Sequence, residues 1–73
     1  MTKQINQSPL LSSAPVSVRK AAYLAGVRTG RYSMDGENYI ISNDITTIIV
    51  TKADRNEFGH LTWKEIKELY EKA

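Results

Sequence analysis

An α+β fold, in which a short N-terminal helix, a three-stranded antiparallel sheet and a C-terminal amphipathic helix follow one another, is what this 73-residue sequence predicts. Three observations carry it. Val18, Ala21, Ala22 and Ala25 recur at helical spacing before Gly26; the run from Arg31 to Thr51 is rich in β-branched residues and broken by Asp35-Gly36 and Asn43-Asp44; and the segment from Leu61 to Lys72 returns to a helical period. A chain of this length holds one domain with a thin core.

The first fifteen residues (MTKQINQSPLLSSAP) are polar and carry one charge, with only Ile5 and Leu10-Leu11 as apolar anchors. They read as a flexible N-terminal arm, 1–15, ahead of a single binding domain, 16–73. In the first helix Ser17 is the expected N-cap, because its hydroxyl can accept from an unpaired backbone N–H. Gly26 is its expected end, since a left-handed C-cap favours glycine. On that helix Arg19, Lys20 and Tyr23 fall on the less apolar side.

Gly30 to Met34 and Glu37 to Ser42 flank Asp35-Gly36, a strong hairpin signal because the tight turn needs positive φ. Ile45 to Thr51 (ITTIIVT) supplies a third strand after Asn43-Asp44. The final helix has the best-specified start: Thr62 and Glu65 match a capping box, and Leu61 and Ile66 a hydrophobic staple. Trp63, Ile66, Leu69 and Tyr70 form its apolar face, which is expected to pack on the sheet, and i, i+4 Lys/Glu pairs line the other face.

Charge is segregated along the chain. Lys3, Arg19, Lys20, Arg28 and Arg31 are the only charged residues before Tyr32, and all eight carboxylates follow Met34. Same-sign charges gathered on one part of a domain attract an acidic partner. Arg19, Lys20, Tyr23, Arg28, Arg31 and Tyr32 are therefore the expected partner-binding residues, with Tyr23 and Tyr32 as apolar anchors. No cysteine is present, which removes disulfides and thiolate chemistry and fits a reducing, cytoplasmic location. The longest apolar run, Ile48-Ile49-Val50, is far short of the roughly 20 residues a membrane-spanning helix needs.

Catalytic signals are absent from the pattern. The sole histidine, His60, has no partner at metal-ligand spacing, and no nucleophile elbow or glycine-rich phosphate loop occurs. The expectation is a non-enzymatic binding protein without cofactor or metal. Two local resemblances qualify it. Asp54, Asn56, Gly59, Leu61 and Glu65 are spaced as in a calcium-binding EF-hand loop over 54–65, although Phe58 stands where a ligand belongs; a strand-to-helix loop with a glycine turn is the alternative. The stretch Lys20-Ala21-Ala22-Tyr23-Leu24-Ala25-Gly26-Val27 resembles the first helix and turn of helix-turn-helix DNA-binding proteins. A recognition helix over Arg28 to Met34 would complete that motif at 18–34, with Arg28, Thr29 and Arg31 placed to contact phosphates or base edges.

In size, charge segregation and lack of cysteine and catalytic groups, the whole chain resembles small bacteriophage host-takeover proteins, among them antitermination factors that bind bacterial RNA polymerase. That resemblance implies transcription regulation through host RNA polymerase, with no residue transferable by motif. The alternative is a small DNA-binding regulator, and a third reading is the calcium module.

Overall fold

The computed structural model describes residues 8–72, and the fold is α+β with three α-helices and a three-stranded antiparallel sheet. In chain order these are α1 (Val16–Leu24), β1 (Arg31–Asp35), β2 (Asn38–Ser42), β3 (Thr47–Val50), α2 (Lys52–Phe58) and α3 (Trp63–Lys72). Among the described residues no helix is long and apolar enough to cross a membrane.

The second half of the expected arm is part of the fold. A 3-10 turn at Leu11–Ser13 precedes α1, Leu11 and Ala14 are buried in the core, and Leu10 bridges Arg31 of β1. The backbone N–H of Leu11 donates to Gly30 O (2.8 Å) and that of Tyr32 to Pro9 O (3.0 Å). Two leucines suffice to anchor so short a segment because it is tied by main-chain bonds as well as by burial. Residues 1–7, the rest of that arm, lie outside the described residues.

Pro15, not Ser17, occupies the N-cap of α1, and it makes no side-chain cap. The helix starts two residues earlier than expected. Its end follows the sequence: Gly26 has φ +85°, its N–H donates to Tyr23 O (2.9 Å) and the Val27 N–H to Ala22 O (2.9 Å). This bond pair is a Schellman motif, and Val27 and Ala22, both buried, supply its apolar contact.

The sheet order is β1-β2-β3. Asp35 pairs with Asn38, so the first hairpin loop is Gly36-Glu37, one residue later than Asp35-Gly36. Gly36 has φ +64° and, among the described residues, no non-glycine residue has positive φ, the pattern of a type II′ turn with glycine first. At the second hairpin Asn43 Oδ1 accepts from the N–H groups of Ile45 (2.8 Å) and Thr46 (3.0 Å), and Nδ2 donates to Thr29 O (2.8 Å). The register places Tyr32, Ile41 and Ile48 in one row across the sheet, and Met34, Tyr39 and Val50 in the next row on the same face. That face meets α1. Val18, Ala21, Ala22, Ile41 and Val50 share one core, with Tyr32, Tyr39, Ile48 and Phe58 packed around it.

The segment after β3 is helical, and this overturns the expected strand-to-helix loop. Thr51 caps α2 in a reciprocal box: its Oγ1 accepts from the Asp54 N–H, and Asp54 Oδ2 accepts from the Thr51 N–H, each at 3.2 Å. An EF-hand loop needs Asp54 and Asn56 in open-loop geometry; here Asp54 is a capping residue and both lie on a helix. Among the described residues no three His, Cys, Asp or Glu side chains converge as a metal site.

The helix-turn-helix geometry at 18–34 is likewise absent, because Arg31 to Asp35 is strand β1. The Schellman turn leads from α1 through Gly30 into the sheet, and the β-branched partners on β2 hold the chain extended. Against expectation, α3 packs on α1 and not on the sheet, whose inner face α1 already covers. As a result only Ile66 of α3 is fully buried, while Leu69 and Tyr70 stay exposed.

Candidate partner-binding surface

Lys20, expected on the surface, is 7% exposed. Its ammonium donates to Gly59 O (3.3 Å) and to Leu61 O, the carbonyls of the turn between α2 and α3. A helix end leaves carbonyls without intrahelical partners, and a lysine reaching across from α1 satisfies the one at the α2 C-cap, Gly59, together with the Leu61 carbonyl of the turn that follows. It is therefore a positioning residue for the α2–α3 turn. The Thr62–Glu65 capping box adds the next constraint: the Thr62 N–H donates to Glu65 Oε1 (2.8 Å) and the Glu65 N–H to Thr62 Oγ1 (3.2 Å). The Thr62 backbone and hydroxyl bonds hold the Glu65 carboxyl below its ordinary pKa, with smaller help from the His60 and Lys20 charges. Together these contacts fix where α3 begins, and so where Trp63 lies.

Trp63 meets Tyr23 of α1 edge-on, with ring centroids 5.8 Å apart, and Tyr70 meets the same Tyr23 at 5.4 Å. Two helical turns of α3 separate Trp63 from Tyr70, and both rings reach Tyr23 of α1. Arg28 folds back from beyond the Schellman turn. Its Nη1 donates to Tyr23 O (3.0 Å), and its guanidinium lies 3.7 Å from the Tyr23 centroid and 4.7 Å from that of Tyr70. Arg19 approaches from α1, anchored by Nε to Ala14 O (3.0 Å). Arg19, Tyr23, Arg28 and Trp63, with Leu11 and Ser12, line a shallow open cleft of about 180 Å³.

The six expected binding residues are thus divided by the fold. Arg19, Tyr23 and Arg28 share one cleft, whereas Lys20 is buried on the carbonyls of the α2–α3 turn. Arg31 sits elsewhere, donating to Ser8 O (2.6 Å) at a second cleft of about 390 Å³ that it lines with Leu10, Thr29, Asn43 and Asp44. Tyr32 is on the inner face of the sheet against Tyr39, centroids 5.5 Å apart, and contributes to the core. Periodicity places Trp63 and Tyr70 in the core, yet Trp63 lines the cleft and Tyr70 lies beside it against Tyr23 and Arg28. The available signal was their i, i+7 spacing, which places two aromatics on one stripe; what the sequence lacked was the crossing of α3 on α1.

Chemically, this face offers planar cations beside aromatic rings and an apolar floor at Leu11 and Val27. Arg28 uses one of its five donors on Tyr23 O, leaving others for a carboxylate or carbonyl. Of the other cations, Lys52 lies 3.9 Å from Glu37, Arg55 spans from α2 to Glu37 O with its guanidinium 5.1 Å from the Tyr39 ring centroid, and Lys64, Lys67 and Lys72 are on α3. His60 is exposed, with Nδ1 3.2 Å from Asn56 O. Comparison with protein-family models, with curated proteins and with solved structures finds no match to this chain.

Proposed function

We propose that the protein is a non-enzymatic recognition module that docks an acidic protein surface through Arg19, Tyr23, Arg28, Trp63 and Tyr70. The observation that carries this reading is the Arg28 guanidinium held between Tyr23 and Tyr70 beside a solvent-open aromatic cleft. Tyr, Trp and Arg dominate the binding energy of protein interfaces, where aromatic rings supply rigid apolar area and arginine pairs bidentately with carboxylates. Preorganisation matters as much. Arg28 is already fixed by a main-chain bond and two rings, so little side-chain entropy remains to be lost on docking.

Bacterial RNA polymerase is the first candidate partner, by the resemblance in type to small phage regulators, and the proposed role is to alter initiation or termination. Duplex DNA is the weaker reading. Phosphate binding gains from many free cations along one surface, whereas Lys20 is buried on carbonyls and Arg31 lies at a different cleft. The calcium reading loses the loop on which it depended.

Purified bacterial RNA polymerase and a mixed-sequence duplex DNA are the two probes for this proposal. Polymerase binding is expected to weaken by about 10-fold or more in Arg28→Gln and in Tyr70→Ala, in line with loss of an interface anchor. Circular dichroism should show both variants folded, since both residues are exposed or nearly so. Steeply salt-dependent DNA binding without polymerase binding would transfer the function to nucleic acid; full polymerase binding by both variants would place the site elsewhere.

A further inference from the structure

The two edges of the sheet are treated differently. Along β1, Pro9 and Leu10 supply main-chain partners, with the Tyr32 N–H bonded to Pro9 O and Leu10 bridged to Arg31. The outer edge of β3 has no such cover. Asn43 donates its N–H to Thr46 O (3.0 Å), which makes 43 and 46 a hydrogen-bonded pair. Alternation along the ladder then makes Ile41↔Ile48 and Tyr39↔Val50 hydrogen-bonded pairs and turns the N–H and C=O groups of Thr47 and Ile49 outward. Among the described residues neither makes a backbone bond beyond the sheet.

An uncovered edge normally carries a lysine, a proline or a bulge that blocks pairing. Thr47-Ile48-Ile49-Val50 has none of these: it is neutral and β-branched, and Ile49 is 58% exposed. Leu24, Ala25, Ile48 and Phe58 line an apolar groove of about 250 Å³ beside it. The open stretch is bounded at both ends, the Ile45 N–H being taken by Asn43 Oδ1 and the Thr51 N–H by Asp54 Oδ2.

We propose that β3 pairs antiparallel with β3 of a second copy, about a two-fold axis at Ile48, joining two three-stranded sheets into one of six strands. In this register Thr47 faces the second copy's Ile49 and Ile49 its Thr47, which engages all four outward-turned groups on each side. A shift by two residues would call on the Thr51 N–H, which Asp54 Oδ2 already occupies. A second copy fits better than an arbitrary extended peptide because it presents the same short open stretch, bounded at the same two residues, so that length and register match. The seam is separate from the Arg28 cleft and does not depend on its function.

The test is sedimentation over a concentration range up to about 1 mM, with amide hydrogen exchange read residue by residue. The expected result is a dimer in which the Thr47 and Ile49 amides become protected as concentration rises. Ile49 is exposed, so Ile49→Lys, a blocking charge on the edge itself, should retain the fold and give a monomer. A protein that stays monomeric throughout overturns the proposal. So does a dimer whose Thr47 and Ile49 amides exchange as fast as in the monomer, or one that Ile49→Lys leaves intact.

Discussion

Replacing Lys20 with methionine isolates the role of its ammonium, because methionine keeps the unbranched stem that runs through the α1 interface and removes the donors at its end. The parent side chain makes two bonds to main-chain carbonyls, at Gly59 and Leu61, in a largely dry position. A hydrogen bond to a charged group contributes about 1.5–3 kcal/mol. Two opposing effects reduce the total: methionine avoids the cost of burying a charge, and Gly59 and Leu61 are only half-buried, so water can reach their carbonyls. A net loss of about 2 kcal/mol is expected, equivalent to roughly 8–16 °C in Tm for a domain this small. Urea denaturation measures the loss, and hydrogen exchange should place it at the α2–α3 turn, with the sheet amides changed only through global stability. A variant within about 0.5 kcal/mol of the parent, the range of an ordinary surface substitution, would show that the bonds from Lys20 do not hold the turn.

Trp63→Ala is expected to cost about 1–3 kcal/mol, below the 3–5 of a fully buried aromatic, because the ring is half-buried and edge-on to Tyr23; a urea midpoint unchanged from the parent would remove it from the α1–α3 contact. Glu65 has a folded pKa below its unfolded one, so its capping contribution is fully present above the unfolded value, ordinarily about 4.5, and is lost as pH falls through the folded value. Thr62→Ala should raise the Glu65 carboxyl pKa in an NMR titration, and an unmoved titration curve would refute the capping assignment. Calcium should produce no saturable change in Trp63 fluorescence or in amide shifts over 54–65, since Asp54 is engaged by the Thr51 N–H; binding confined to that segment would reopen the EF-hand reading.

The elements legible in the sequence are those whose determinants are local. The Gly26 cap, the Thr62–Glu65 box and the β-branched third strand each depend on residues within a few positions of one another. The first turn shifted by one residue because both Asp-Gly and Gly-Glu can occupy a two-residue loop, and strand register chose between them. Helix α2 was hidden by a coincidence of pattern: Thr51-x-x-Asp54 is itself a capping-box signature, but Asp54 also begins the EF-hand-like spacing. Lys20 was illegible for a different reason. Its burial is set by carbonyls 39 and 41 residues away, and no periodicity encodes that demand. Arg19, Tyr23 and Arg28 could be picked out by charge and aromaticity, whereas their union with Trp63 and Tyr70 required the α1–α3 crossing.

The segregated charge takes on another meaning in the fold. Arg19, Lys20, Arg28 and Arg31 donate respectively to Ala14 O, to Gly59 and Leu61 O, to Tyr23 O and to Ser8 O. The basic N-terminal part thus ties main-chain segments together, and its charges are fixed in position instead of sweeping the surrounding water. A cation held this way can still act on a partner, but only along the donors that remain, which favours a planar carboxylate at a defined place over a row of phosphates. Affinity on the Arg28 face should accordingly rest on aromatic contact area and one or two directed ion pairs. Such a surface loses association rate as salt rises, while its dissociation rate changes much less. Counterion release from DNA would instead lower the equilibrium affinity steeply and in proportion to the phosphates neutralised. The two partner classes are therefore separable by kinetics at two ionic strengths.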